Sequence, residues 1–490
     1  MELNFGRVEG LPEEEQQQLN ELKYIYDYHK STNRKKRRYY NGKITLQEVN
    51  LGIALPSGIR RLEIGCAWGA KTVDVLASRS MFDGFVTENG TKSEDMDAIM
   101  RRNHLITEYN KAVREELKYG CAFAAVSGSE KDARVRFYSP HCAAASWDAK
   151  EGRIKYGFAF EDDRRDESDI EWSPEHVNFY TDKAIWVLDR TGGSWHATEY
   201  PNDFNEPLMV ALTWDATNDK PFGQSRLKEP IRRLIEGYVR TVANATIGLE
   251  FATSPQKYLL GITDDQYDVL INNKFKQYVG SLLLGTTNPE TGEKPSFGQL
   301  SQGNIEPHVQ MLRMLATQYS AATGLAVTDV GVVNDANPTS SEAIIAQSQT
   351  LILMAEQLNR TNGDALYRIA KMALAIELDT TPDNLPDEVR DVIAHFKNPA
   401  MPSVASTTDA ALKIATAREG FAQTDIFLEM IGFDQADIRR IQAQELRAQG
   451  TKILTEEFDD ENIDEGMGTV HNKNGASQPE GGGSDAGVGA

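Results

Sequence analysis

The chain has 490 residues, of which 40% are hydrophobic and 26% charged, with 38 glycines and 18 prolines. That composition excludes a fully disordered, collagenous or coiled-coil protein and leaves room for roughly two to four domains. Its 52 Lys+Arg against 73 Asp+Glu give a formal charge of −21, which argues against gripping nucleic acid through the net field, because phosphate binding is driven by cationic side chains releasing counterions. No run approaches the ~18 apolar residues of a membrane span. The segment MELNFGRVEGLPEEEQQ lacks a signal-peptide core, so the expected location at synthesis is the cytoplasm. Three well-separated cysteines, Cys66, Cys121 and Cys142, give neither a disulfide framework nor a zinc site.

Taken in chain order, residues 12–30 read as a helix, with Leu19, Leu22, Ile25 and Tyr26 at helical spacing. A basic run from Arg34 to Arg38 follows, more readily a solvated helix end than a nucleic-acid patch. The string YYNGK (Tyr39 to Lys43) then carries an Asn-Gly turn.

Residues 61–79, RLEIGCAWGAKTVDVLASR, resemble the glycine-rich first motif of S-adenosylmethionine methyltransferases. There a strand ends in a loop that lets backbone approach the cofactor. Gly65 and Gly69 have the right spacing, but Ala67 replaces the middle glycine and no repeated strand–helix units follow. The favoured expectation is a helix from Gly69 to Arg79 packing Val73, Leu76 and Ala77 on a core. The methyltransferase built on LEIGCAWG is kept as the alternative.

Residues 95–118 read as one long helix stopped by Gly120. The period then changes. CAFAAVSG, RVRFYSP, RIKYGFAFE, HVNFYTD, AIWVLDR and SWHATEY predict an antiparallel meander over about 121–214. His176 and His196 sit in it singly and read as structural. Leu227, Ile231, Leu234, Ile235, Tyr238 and Val242 line one helix face, with Pro230 in the first turn. Arg226, Arg232, Arg233 and Arg240 lie on other faces.

KYLLGI and SLLLGTT read as strands, ITDDQYDVLINNKFKQYV as holding a short helix, and TNPETGEKPSFGQ as a loop. A second helix starts at Pro307 with Leu312, Leu315, Tyr319 and Ala322 on one face, and Gly324 ends it. A long helix then runs from Ser340–Glu342 to about Leu378, with a kink expected at Asn362-Gly363. A Pro- and Asp-rich connection spans 380–404, further helices fall within 407–448, and an acidic, Gly-rich tail is expected to be disordered. No phosphate loop, His-Glu-x-x-His or Gly-x-Ser-x-Gly appears. Asp162-Asp163 and Asp264-Asp265 sit in polar turns with no histidine near. The expectation is no catalytic residue, no metal and no cofactor.

The order of elements resembles the portal proteins of tailed bacteriophages, in the long-tailed branch, over about residues 20–450. The resemblance is carried by YYNGK, by the helix running into YGCAFAAV, by FYSPHCAAASWDAKEGRIKYGFAF, by NEPLMVALTW followed by PFGQSRLKEPIRRLIEGY, and by SSEAI at 340–344. It implies an α+β portal fold. Residues 1–224 form a wing, 225–250 and 304–324 the two stem helices, and 251–303 a small α/β clip. Residues 325–339 form a tunnel loop, 340–404 the long wing helix and its connection, 405–450 a helical crown, and 451–490 the disordered tail.

The resemblance further implies a ring, twelve-fold in the virion, at one capsid vertex, assembled in the host cytoplasm. Double-stranded DNA passes through it, and it docks the terminase large subunit, a head-completion adaptor, and the major capsid and scaffolding proteins, with no membrane partner. Asp329, Asn334, Asp335 and Asn337 are the expected DNA-facing loop residues. Arg232, Arg233 and Arg240 are expected to face the stem channel or a neighbouring subunit.

Overall fold

The computed structural model describes residues 3–45, 64–87, 94–161, 173–253, 257–260, 292, 296–299, 304–331, 341–390, 392–400, 404–418, 420–433 and 437–449. The chain divides into two compact units, Met1–Ala400 and Met401–Ala490.

Helix α1 (Glu13–Tyr40) runs ten residues past the end of the sequence reading of 12–30, and the basic run lies inside it. Three glutamates in its first turn and Arg37 and Arg38 in its last complement the helix dipole. That charge layout explains why a basic run here prolongs the helix. Helix α2 (Trp68–Ala77) buries Val73, Leu76 and Ala77 as expected. Strand β1 (Phe82–Thr87) follows.

The expected single helix over 95–118 is two, α3 (Glu94–Asn103) and α4 (Leu105–Tyr119). His104 interrupts them with φ of 50°, a left-handed conformation that an α-helix cannot contain. Gly120 ends α4 at φ of 113°, where a Cβ would stand 3.1 Å from the Gln224 carbonyl carbon.

The strands are β2 (Cys121–Ser127), β3 (Arg134–Tyr138), β4 (Ala143–Asp148), β5 (Arg153–Phe160), β6 (His176–Tyr180), β7 (Ala184–Thr191), β8 (Ser194–Pro201) and β9 (Met209–Thr213). The expected meander resolves into two sheets. One is a five-stranded meander in the order β4-β5-β6-β7-β8, and the other has the order β3-β2-β9. Strand β9 returns to pair antiparallel with β2, Cys121 opposite Thr213. Alternation sends Ala184, Trp186 and Leu188 of β7 inward. They meet Phe158 and Phe160, the α1 residues Leu19, Leu22 and Tyr26, and Leu3, Phe5 and Val8 from the N-terminal segment in one apolar cluster.

Helix α5 (Glu229–Thr253), strands β10 (Lys257–Leu260) and β11 (Ser296–Gln299), and helix α6 (Glu306–Thr323) come next. β10 and β11 pair antiparallel, so SFGQ is a strand at the end of what reads locally as a loop. The rest of the expected clip, SLLLGTT and the short helix included, lies outside the described residues, as do Asp162, Asp163, Asp264 and Asp265. Helix α7 (Ser341–Glu377) is continuous through Asn362-Gly363. A short helix, α8 (Asp387–Arg390), leads to strand β12 (Val392–Phe396), which pairs antiparallel with β1.

The second unit holds α9 (Val404–Ala417), α10 (Asp425–Ile431) and a helical stretch over 437–449. Its described side chains include only two buried apolar residues, Ala411 and Ile438, while Leu412, Ile414, Ile426, Phe433 and Leu446 are exposed.

Residues 61–63 of the glycine-rich segment lie outside the described residues, and from Ile64 on it runs without strand structure into α2. All described strand pairs are antiparallel, and the one parallel contact is the isolated bridge Glu9–His196. A doubly wound sheet needs parallel pairing at this point. The two glycines differ instead by packing. A Cβ on Gly69 would stand 2.2 Å from the Tyr39 carbonyl oxygen, whereas one on Gly65 would meet nothing within 4 Å. Gly69 is glycine so that the start of α2 can touch the end of α1. Accordingly, Gly69→Ala is expected to cost about 3 kcal/mol, the upper end of overpacking, because both facing atoms are backbone. Gly65→Ala should change stability by less than about 0.5 kcal/mol. Urea midpoints of the two variants check this, and equal costs would refute it.

Candidate functional site

The two helices α5 and α6 pack on each other, and Ile231, Ile235, Val239 and Ala243 of α5 and Leu315, Ala316 and Tyr319 of α6 are buried in one apolar cluster. Gly237 lets α5 close onto the Leu315 side chain, 3.3 Å from where a Cβ would sit. The i, i+4 spacing of the sequence dictates this apolar seam.

At the root of the pair sits Trp68, the first residue of α2. Its ring is 4.5 Å from Tyr238 of α5 and 4.7 Å from Tyr319 of α6, centroid to centroid. The Tyr319 hydroxyl donates to the Trp68 carbonyl at 2.9 Å and also bonds the Thr72 hydroxyl. Burial pushes the Tyr319 phenol well above its ordinary pKa, so it remains a neutral donor.

Arg226, just before α5, is buried beside this cluster. Its Nε donates to the Thr72 carbonyl at 2.8 Å and its Nη2 to the Thr323 carbonyl at 2.7 Å. Its Nη1 points to Met354 Sδ of α7 at 3.4 Å, and the guanidinium lies 5.6 Å from the Trp214 ring centroid. Desolvation pulls its pKa down to about 10. Arginine still carries its charge at neutral pH there, and its planar fork can reach several acceptors at once. One side chain therefore ties α2, the end of α6 and α7 to the base of α5.

The segment after α6 is pinned to the same root. Gly324 ends α6 at φ of 73°, and the Ser320 hydroxyl donates to the Leu325 carbonyl at 2.6 Å. A 3-10 turn, Val327–Val330, follows, and Trp68 Nε1 donates to the Val330 carbonyl at 3.3 Å. Asp329 is half-buried in this turn, its Oδ2 accepting from the Ala326 amide at 3.3 Å. It caps its own turn. Asn334, Asp335 and Asn337 lie outside the described residues.

The three arginines of α5 have different surroundings. Arg233 is exposed and paired within its own helix to Glu229 at 3.1 Å and Glu236 at 3.0 Å. Arg232 donates to the Leu227 carbonyl at 2.7 Å and lies over the Tyr39 ring. Arg240 is half-buried and has no hydrogen-bond or ionic partner among the described residues. The Tyr39 hydroxyl bonds Glu236, and the Tyr40 hydroxyl donates to Asp74 at 2.9 Å. The YYNGK string is thus a clamp between α1, α2 and α5. Gly42 is glycine because a Cβ would stand 2.8 Å from the Cys66 carbonyl oxygen, at φ of +69°.

Sequence reading missed Trp68, Thr72, Arg226, Tyr319 and Glu236 as a constellation. The available signals were a tryptophan inside the glycine-rich segment and an arginine in an otherwise apolar position before Leu227.

His176 pairs with Asp189 at 2.6 Å and His196 with Glu9 at 3.2 Å, one carboxylate each. None of the three cysteines is disulfide-bonded. Among the described residues no group of three or more His, Cys, Asp or Glu is placed to hold a metal ion, and no helix is long and apolar enough to cross a membrane.

The model of one family, described as phage portal protein, SPP1 Gp6-like, matches residues 19–451. No curated protein matches. Among solved structures, the chain is similar to one in the virion of a native gene transfer agent particle, at 14% identity and a TM-score of 0.44, covering 75% of this chain and 89% of that one. It is similar to a chain in the neck of an empty gene transfer agent particle computed with C6 symmetry, at 13% identity and a TM-score of 0.42 over 72% and 87% of the two chains. A chain in the neck of the native particle computed with C12 symmetry gives 13%, 0.42, 75% and 89%.

Proposed function

The chain belongs to the SPP1 Gp6-like phage portal family and is a portal protein, and from that premise we propose that it closes with eleven further copies into a ring at one capsid vertex. The match over residues 19–451 is the observation that carries this reading; the methyltransferase alternative has no support. The ring is a non-enzymatic channel for packaging and ejecting double-stranded DNA. It docks the terminase large subunit during packaging and a head-completion adaptor afterwards, and it contacts major capsid and scaffolding proteins during assembly in the host cytoplasm.

In this reading residues 1–224 and 340–404 are the wing, 225–250 and 304–324 the stem, 251–303 the clip, 325–339 the tunnel loop, 405–450 the crown and 451–490 the tail. The buried seam between α5 and α6 makes a stiff rod pair suited to a channel wall. Asp329, Asn334, Asp335 and Asn337 belong to the loop that meets DNA. A charge of −21 per subunit gives a sleeve that repels phosphates, so a moving duplex has few cationic contacts to break. Arg233 is already offset by two glutamates, which leaves Arg240 of α5 and the exposed Arg313 of α6 as stem cations available to a neighbouring subunit or a passing phosphate. The exposed Leu412, Ile414, Ile426, Phe433 and Leu446 of the second unit are apolar surface for packing between neighbours, since closing a ring of like-charged subunits requires buried heterologous interfaces.

Native mass spectrometry of the full chain tests the ring. The expected species has twelve times the 54.5 kDa subunit mass and a hollow outline in negative stain. A protein that remains monomeric at all concentrations and salts, alone and with its capsid and scaffolding partners, would refute it.

A further inference from the structure

Glu116 of α4 is fully buried, and it faces Asn362 in the middle of α7. Asn362 Nδ2 donates to Glu116 Oε2 at 2.8 Å and to the Tyr109 hydroxyl at 3.1 Å. The Tyr109 hydroxyl in turn bonds the Ser80 hydroxyl at 2.9 Å. Both hydrogens of the Asn362 amide are therefore used. Two buried oxygens in this group lack any partner, Glu116 Oε1 and Asn362 Oδ1. Each belongs to one half of the same hydrogen-bonded carboxyl–amide pair. Two orphaned acceptors within one hydrogen-bonded pair are an expensive arrangement for a buried site. One proton removes both deficits.

We propose that Glu116 is a neutral carboxylic acid whose Oε1–H is donated to Asn362 Oδ1, closing a two-bond acid–amide pair that locks α7 to α4. The proton sits on Oε1 and the bond Oε1–H···Oδ1 completes the ring begun by Nδ2–H···Oε2. Every polar atom of the Ser80–Tyr109–Asn362–Glu116 chain is then paired. The charged and titratable groups around the pair agree with a neutral acid. From its own helix Glu116 meets Tyr109; from β2, Cys121; beyond Cys121, Lys36 of α1 is engaged with the Tyr119 carbonyl at 2.7 Å. From α7 it meets only the uncharged Asn362. Among the described residues no cation pairs with it. Burial pushes its pKa up to about 8 against an ordinary 4.5.

The sign follows from linkage. Between the ordinary value and the raised one the folded chain keeps a proton that the unfolded chain releases, so stability falls as pH rises through that window and levels off above it. One proton corresponds to about a tenfold change in the folding equilibrium per pH unit.

The test is thermal unfolding of the full chain and of Glu116→Gln from pH 5 to pH 9. A glutamine amide reproduces both hydrogen bonds without a titrating proton. The two proteins should melt together at pH 5, and the variant should melt higher at pH 8, with the gap constant above that. Parallel melting curves across the range, a wild type more stable than the variant at pH 8, or a variant that does not fold would each overturn the proposal. Infrared difference spectra of wild type minus variant at pH 6.5 give an independent reading: a protonated-carboxyl stretch is expected, and a carboxylate band in its place would refute the neutral acid.

Discussion

Replacing Trp68 by alanine lowers the stability of the first unit by about 3–5 kcal/mol, the range for removing a large buried aromatic. The indole fills the space between Tyr238 and Tyr319, so its loss opens a cavity where α2, α5 and α6 meet. Neighbouring backbone cannot collapse into that space, because Arg226 holds the same three regions apart at fixed distances. Trp68→Phe separates packing from hydrogen bonding. Phenylalanine keeps most of the ring contact but cannot donate to the Val330 carbonyl. Its cost is about 1–2 kcal/mol. Hydrogen exchange at the Asp329 and Gly331 amides, which close the 3-10 turn, should speed up more than elsewhere in the unit. Unchanged exchange there would mean that the turn does not depend on the indole.

Arg226→Ala is the second large effect, about 3–5 kcal/mol by chemical denaturation, from two charge-assisted hydrogen bonds lost together. The Thr323 carbonyl matters most. It lies at the end of α6, where no helical amide remains to satisfy it. Arg226→Met should be milder than alanine. The arginine has no carboxylate partner in its hydrogen-bonding set, and burial already works against its charge, so an apolar side chain of similar length recovers packing against Met354 and removes a desolvated cation. Lysine should rank close to alanine, because a single ammonium cannot span the Thr72 and Thr323 carbonyls from one position. A lysine variant more stable than the methionine variant would show that the charge itself is what the fold requires.

These two residues mark the boundary of what periodicity reveals. Helices α2, α5, α6 and α7 were legible because apolar residues at i, i+4 and i+7 announce a buried face whatever it is buried against. Gly120 and Gly324 were legible as stops because only a left-handed residue continues the chain there. The break at His104 was not, since histidine carries no local signal for φ of 50° and the apolar pattern continues across it. The strand β12 was hidden in a Pro- and Asp-rich connection, because its strand character comes from pairing with β1 about 300 residues earlier. Asn362-Gly363 read as a kink inside a continuing helix; the helix is continuous there, and what the local pattern did not show is that Asn362 spends its amide on Tyr109 and Glu116.

The sequence alone determined the order of the main helices, the acidic charge and the likeness to portal proteins, all of which depend on neighbours along the chain. It left the meaning of Gly65 and Gly69 open. A strand, a glycine turn and a helix look the same locally whether the glycine admits a cofactor or a carbonyl oxygen. Tertiary structure alone decided that Gly69 receives Tyr39, that Arg226 joins three elements and that Trp68 holds the turn at Val330. Each of those contacts joins residues separated by tens to hundreds of positions, and close packing, which no local pattern encodes, selects among the partners.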